Sequence, residues 1–425
     1  MSLLADMVYE GARSIIGPYL ATLGASAALV GTVAGAAEFI GYGLRVASGY
    51  LVQHRGHYWT WTITGYALTV LSVPLIGATT MIGPVLALYG TERLGKAVRS
   101  PAKDTLLSHA STQTGAGTAF GVHQAMDQTG AIAGPLLLAV VLSLHTGDYR
   151  LAFGVLIVPG VIVLALLFWL RRRVPDPIGY EVADGKGAAS EGATYEGAAY
   201  EGATDGGTAY EGAADGEQPS ATSSQQRPGG FATQPETAHA RVVLPLLLRQ
   251  YIGAVGLLSL GVASFPLLAF HAQTSGLLTP AQVPVLFALA MLVDGASGLL
   301  VGRLFDRLGP RALYVVPVAA GLSAVAFTDH ATLVWAGVAI WGLVNGVLDS
   351  TVKAVVTNLV GPAGRSIAFG WLALARGLGL LLAGVALGLA YEQGITLMVW
   401  LILGVNGVAL VVLAWVLAQL STVES

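Results

Sequence analysis

Long runs almost free of charge recur along this chain, and they decide its fold class before any motif is read. The clearest are Ile63–Gly90, Ala131–Leu144, Leu151–Leu170, Val242–Leu268, Leu313–Phe327 and Ile395–Leu420. About 20 apolar residues in a helix cross a hydrocarbon core roughly 30 Å thick. Charged residues make up 11% of the chain and hydrophobic ones 54%, with a mean hydropathy of +0.69. Soluble chains carry about 25% charged residues, so the sequence predicts an all-α integral membrane protein. A net charge of −3 argues against a nucleic-acid partner, and the absence of cysteine excludes disulfides. Asp6, Glu10 and Arg13 interrupt any secretory-signal core, so no cleavable signal is expected.

Apolar runs punctuated by glycine, proline and charge predict twelve transmembrane helices. Their cores lie near 2–22, 26–52, 58–79, 82–106, 117–144 and 149–170, then 244–270, 281–304, 311–328, 331–357, 366–391 and 395–418. Two six-helix bundles are therefore expected, 1–173 and 241–425. Between them, 174–240 contains SEGATYEGAAYEGATDGGTAYEGAADGE, a degenerate Tyr-Glu-Gly-Ala repeat, with eleven acids against Lys186 and Arg227. Such a segment cannot bury enough apolar surface to offset its ordering entropy, which predicts a disordered acidic linker.

Basic residues set the expected orientation. One set of loops carries Arg55, Arg171, Arg172, Arg173, Arg241, Arg303, Arg307, Arg311 and Arg365, and the opposite set carries only Arg150. This places both termini and the linker on the cytoplasmic side of the cytoplasmic (inner) membrane. The halves also echo each other: GYLVQHRGHY from Gly49 matches GRLFDRLGPR from Gly302, and TAFG at Thr118 matches IAFG at Ile367. Paired six-helix halves, with a site between them near the midplane, are common among secondary transporters.

At these residues the chain resembles the major facilitator superfamily, and the likeness covers all twelve helices. Gly302, Asp306, Arg307, Gly309 and Arg311 fit its loop pattern G-x3-D-R-x-G-x-[RK] throughout. The first-half copy keeps Gly49 and Gly56 but has Gln53 for the acid and His54 for the first base. The resemblance implies that these loops latch the cytoplasmic gate. Helix 5 has Gly121, Gly130, Gly134 and Pro135, similar to the family's antiporter pattern G-x8-G-x3-G-P-x2-G-G except at Leu138 and Ala139. What the resemblance implies is a secondary active transporter, not an enzyme, exporting a small molecule against protons by alternating access. Symport or facilitated uptake is the alternative. Physically, such glycines let helices approach closely, and Pro135 bends the helix.

ERLGKAVRSPAKD, residues 92–104, holds six charges. If the helix before it stopped at Gly90 it would be too short to span, so helix 4 is expected to run on to about Pro101. That puts Glu92, Arg93 and Lys96 near mid-membrane. Glu92, Lys96, Arg99 and Lys103 share one helical face, a stripe that can turn from lipid towards an aqueous cavity. Asp6, Glu10 and Arg13 (helix 1), Glu38, Tyr42 and Arg45 (helix 2), and His123 and Asp127 (helix 5) extend the pattern. Asp294 (helix 8), Asn345, Asp349 and Lys353 (helix 10), and Arg376 (helix 11) continue it in the second half. Intramembrane charges are costly unless paired or hydrated, and mark functional sites. Most of these are expected to pair, Glu92 with Lys96 and Asp349 with Lys353 among them. Glu38, Asp127 and Asp294 are read as unpaired, and with Glu10 they are the proton-coupling candidates. Trp341, Trp371 and Phe369 are expected to line an apolar wall in the second half. His271 is either a gate or an interfacial residue.

Three chemical motifs fail on inspection. GTERLGKA at Gly90 has Ala97 where a nucleotide-binding loop holds magnesium with Ser or Thr. His123 and Asp127 lack a third metal ligand at suitable spacing, and no HExxH or GxSxG occurs. No cofactor or metal is expected.

Overall fold

A computed structural model of the chain describes residues 1–110, 116–175, 245–360 and 365–423. Among these, helices dominate and follow the predicted series. In the first half they are α1 (Ser2–Thr22), α2 (Ala27–Arg55), α3 (Tyr58–Ile76), α4 (Ile82–Ala110), α5 (Ala116–Leu144) and α6 (Tyr149–Arg173). The second half has α7 (Leu246–Thr274), α8 (Gln282–Leu308), α9 (Gly309–Phe327), α10 (Ala331–Leu359), α11 (Arg365–Gln393) and α12 (Ile395–Val423). Almost all of the predicted linker lies outside the described residues.

Local chemistry explains the helix ends and breaks. Ser26 and Asp148 cap α2 and α6 by accepting the Leu29 and Leu151 N–H groups at 3.3 and 2.9 Å. Gly56 and Gly309, at matching places in the two echoed loops, end α2 and α8 with φ of 60° and 58°, a region that favours glycine. Pro159 cannot donate to the Val155 carbonyl, and α6 breaks there. Pro266 opens the second segment of α7 after a break at Gly261–Ser264. α4 passes through Pro101, as its expected core 82–106 requires, and continues to Ala110, about one turn further.

Among the described residues, nine of the twelve helices are long and apolar enough to cross a membrane by composition. Of the other three, α1 and α4 carry several mid-helix charges, while α8 holds the shorter apolar stretch Gln282–Gly298. These three helices supply much of the site described below.

The halves meet along α2 with α11, α5 with α8, and α1 with the second segment of α7. Gly31 and Gly35 pack against Gly384, Gly388 and Leu380 so closely that a Cβ at Gly31 would collide with the Gly384 carbonyl oxygen. A Cβ at Gly17 would likewise strike the Pro266 carbonyl. Polar contacts reinforce this seal at the end of the molecule poor in Arg. Tyr149 donates to Gln273 Oε1 at 2.5 Å, and the Ala28 N–H donates to Glu392 Oε1 at 3.0 Å. His271 is buried in the second half, its ring 3.0 Å from the Tyr391 hydroxyl and 3.4 Å from the Thr328 carbonyl. It therefore packs the second bundle and is not an interfacial residue.

Candidate functional site

The charged residues of α1, α2 and α4 converge inside the first half. Arg13 lies 3.0 Å from Glu38 and 3.6 Å from Glu10. Lys96 reaches Glu10 at 3.7 Å, and Arg93 reaches Glu92 at 3.0 Å and Glu38 at 3.9 Å. Arg93 is 1% exposed and donates to the Tyr89 hydroxyl at 3.2 Å. Glu38 is thus not the unpaired acid expected from sequence: Arg13, a full helix away, holds it. Nor does Glu92 pair with Lys96, because Lys96 turns towards α1 and sits 4.2 Å from the Tyr9 ring.

The α4 stripe faces neighbouring helices more than open water. Glu92 and Arg99 are buried, and the Arg99 guanidinium stacks 4.2 Å from the Tyr66 ring and 5.2 Å from Tyr9. Tight α3–α4 contact makes this possible, since Gly65 and Gly95 leave no room for a Cβ between the helices. Lys103 reaches Asp104 at 3.6 Å.

Asp127 also has partners. Its carboxylate lies 3.1 Å from His123 Nδ1 and accepts from Ser2 Oγ, which is also 3.3 Å from His123 Nε2. Gly130 and Gly134 seat on the α1 backbone at Leu3 and Met7, whereas nothing packs against Gly121. These glycines therefore bring Asp127 to the start of α1, next to Asp6.

In the second half, Arg376 Nη1 donates to Asp349 Oδ1 at 2.5 Å, bridging α11 to α10. This replaces the expected Asp349–Lys353 pair as the bridge to Asp349, although Lys353 lies within electrostatic reach of that carboxylate. The Asp349 side chain is 54% exposed in mid-helix, so a solvent-reaching space opens there. Asp294 on α8 has no base within ion-pair distance among the described residues. Its surroundings are Asp349 and Arg376 from its own half and Glu10 and Arg13 from the other, and Gly346 makes room for it against α10. Arg13 also stacks 5.9 Å from the α8 ring of Phe287, joining the halves. Trp341 does not line a wall: it is buried in the second bundle and donates to the Ala263 carbonyl at 2.7 Å. Trp371 is exposed and Phe369 partly buried.

The gate residues sit at the Arg-rich end. Gly49 lies on α2 near Pro101, Gly56 and Gly309 are the helix-ending glycines, and Arg307 and Arg311 are exposed. The surroundings of Gly302 and the side chain of Asp306 lie outside what the structure describes.

Sequence reasoning overlooked the aromatic members. Tyr9, Tyr66 and Tyr89 each stack against or bond a base, and Tyr89 stands one turn before Arg93, a spacing readable from sequence.

A site of paired charge between two six-helix halves has a matching family. The description Major Facilitator Superfamily fits residues 1–316. The chain belongs to that superfamily. An uncharacterised protein of Mycobacterium tuberculosis is 39% identical over 414 residues, covering 97% of this chain and 90% of that protein. An uncharacterised MFS-type transporter of Methanocaldococcus jannaschii is 27% identical over 177 residues, 41% of this chain and 44% of its own length. Among solved structures, the nucleoside transporter NupG superposes with a TM-score of 0.67 at 13% identity, covering 99% of this chain and 97% of that one. A peptide transporter, POT, solved with sulfate, gives 0.67 at 12% identity over 99% and 93%. Those superpositions show the fold alone, and it is the family match that makes this chain a multi-pass membrane transporter, not an enzyme.

Proposed function

We propose that this chain is a proton-coupled exporter of a small molecule, working by alternating access in the cytoplasmic membrane with both termini cytoplasmic. Asp294 carries the reading. It is a mid-helix carboxylate with no base within ion-pair distance among the described residues, facing the paired Glu10–Arg13 of the other half. Protonating it removes a charge from the space between halves and lets them re-pack, whereas Glu38 is paired with two guanidiniums and serves structure. Binding of a proton in one state more than the other is what couples it to the conformational equilibrium. Glu10, shared between Arg13 and Lys96, is the partner site on the first half, and Asp127 is a second, at the start of α1.

Direction rests on the helix-5 glycines, whose seat against α1 ties that helix to the candidate proton sites. With the Arg-rich end cytoplasmic, the glycine seal faces outward. The boundaries 1–173, 174–240 and 241–425 are retained as the domain plan.

Everted vesicles holding a respiration-driven pH gradient, reported by a quenched dye, test this. A panel of organic cations and anions is added to vesicles with the intact chain and with Asp294→Asn. Recovery of fluorescence with the intact chain, abolished by Asp294→Asn, is the expected outcome. Protein-dependent accumulation of a panel compound without any recovery would overturn proton antiport.

A further inference from the structure

The charge network leaves one conspicuous excess. On the Arg-rich side of the midplane, Arg45 of α2 has no carboxylate within ion-pair distance among the described residues. It lies ten residues before the end of α2 at Arg55, about 15 Å of helical rise. Asp349 and Arg376 lie ten and eleven residues from the same ends of α10 and α11, so all three share one depth. Arg99 also lacks a close acid, but it is sealed between Tyr9 and Tyr66 inside the first half.

Arg45 instead shares a tyrosine with the second half. Its guanidinium carbon is 5.5 Å from the Tyr42 ring centre, and that of Arg376 is 5.1 Å from the same ring. One base thus comes from each half onto one aromatic side chain. Arg376 is buried, and the Nε atoms of both arginines are buried without a hydrogen-bond partner. Lys96 and Lys353 lie within electrostatic reach of Arg45. Against these four bases stand Glu10, shared by Arg13 and Lys96, Glu38, committed to Arg13 and Arg93, and Asp349, shared by Arg376 and Lys353, which Asp104 also reaches. A buried N–H without an acceptor is costly, and an Arg fork matches a carboxylate or phosphate. The half-exposed Asp349 shows that this region reaches solvent.

We propose that Arg45 and Arg376, framing Tyr42 between the halves, bind the anionic group of the transported substrate, a small organic carboxylate or phosphate ester. This rests on the transport reading above and names its substrate class. A ligand held from both halves has different contacts in each state, which is what a transported molecule requires.

The full chain in phosphatidylcholine nanodiscs tests it by thermal unfolding and equilibrium binding. The probes are phenylphosphate and benzoate, with benzamidinium as the cationic counterpart. Either anion is expected to raise the melting temperature, and benzamidinium to leave it unchanged. Arg45→Gln should weaken anion binding about tenfold or more, the loss of a charge-assisted bond. Arg45→Lys should retain part of it. Arg376→Gln alone strands Asp349, so the double variant Arg376→Gln/Asp349→Asn keeps the charge balanced and should also lose binding. Stabilisation by benzamidinium, or anion binding unaffected by Arg45→Gln, overturns the site. If phosphatidylglycerol in the disc raises the melting temperature and abolishes the probe effect, the anionic group is a lipid headgroup and the cargo assignment falls. Anion binding that survives while the vesicle assay shows no proton exchange leaves this site standing and removes the antiport reading alone. Gradient collapse by cations only, with no anion bound, does the reverse.

Discussion

Glu38 shows how a residue's identity and its role separate. Its position in mid-helix was evident from sequence, but its partner was not, because Arg13 and Arg93 lie on other helices at spacings no local rule relates. The carboxylates nearest in sequence to a base were expected to pair with it, and the structure gives Lys96 to Glu10 and Arg376 to Asp349 instead. What sequence does reveal is which helices carry the charge. The residue-scale prediction follows from the pairing. Glu38→Gln leaves two buried guanidiniums short of an acid, and breaking a buried pair costs about 3 kcal/mol or more. Thermal unfolding in detergent should show the loss, and Arg13→Gln/Glu38→Gln should recover part of it. A Glu38→Gln variant as stable as the parent would refute the pairing. Asp294→Asn, by contrast, removes no ion pair and should unfold within about 1 kcal/mol of the parent, the range of substitutions away from paired or core positions.

Among the elements, the helix series was legible almost throughout, since apolar run length sets where a helix can cross lipid. The end of α4 was legible to within about a turn, its expected core reaching 106 and the helix Ala110. Proline weakens but does not forbid a helix whose neighbours re-satisfy the freed carbonyl, and here Ser48 Oγ of α2 donates to the Ala97 carbonyl, the one Pro101 leaves free, at 2.8 Å. Glycine pairs were readable as packing positions, yet only the structure shows that Gly31 and Gly35 meet Gly384 and Gly388 across the halves. Gly384→Val should wedge α2 from α11 at the end poor in Arg. The chain has no cysteine, so a single Ala27→Cys, buried beside Gly388, reports directly. Its reaction with a membrane-impermeant maleimide should speed up about tenfold in the Gly384→Val background, a shift of ~1.4 kcal/mol in the open population. Equal rates would place the gate elsewhere.

The molecule as a whole is two bundles sealed at one end, with polar contacts at the rim. Tyr149→Cys/Gln273→Cys should cross-link under mild oxidation and arrest transport, with activity restored by a reductant. Cross-linking that leaves transport intact would show that this end need not open. Thr146→Cys should label from outside intact cells and Gln53→Cys only after permeabilisation, and the opposite pattern would invert the proposed topology. Neither the seal nor the Tyr149–Gln273 contact was legible in the sequence, because both join elements more than a hundred residues apart.

The two helices too charged to qualify as spans, α1 and α4, also bear on biogenesis. Partitioning into lipid one at a time would strand Asp6, Glu10 and Arg13 in α1, or Glu92, Arg93 and Lys96 in α4, without their partners. α1 meets Glu38 only once α2 has emerged, and α4 meets α3 through Gly65 and Gly95. Insertion at the translocon should therefore proceed by pairs, with α1 released to the bilayer together with α2 and α4 held until α3 is alongside.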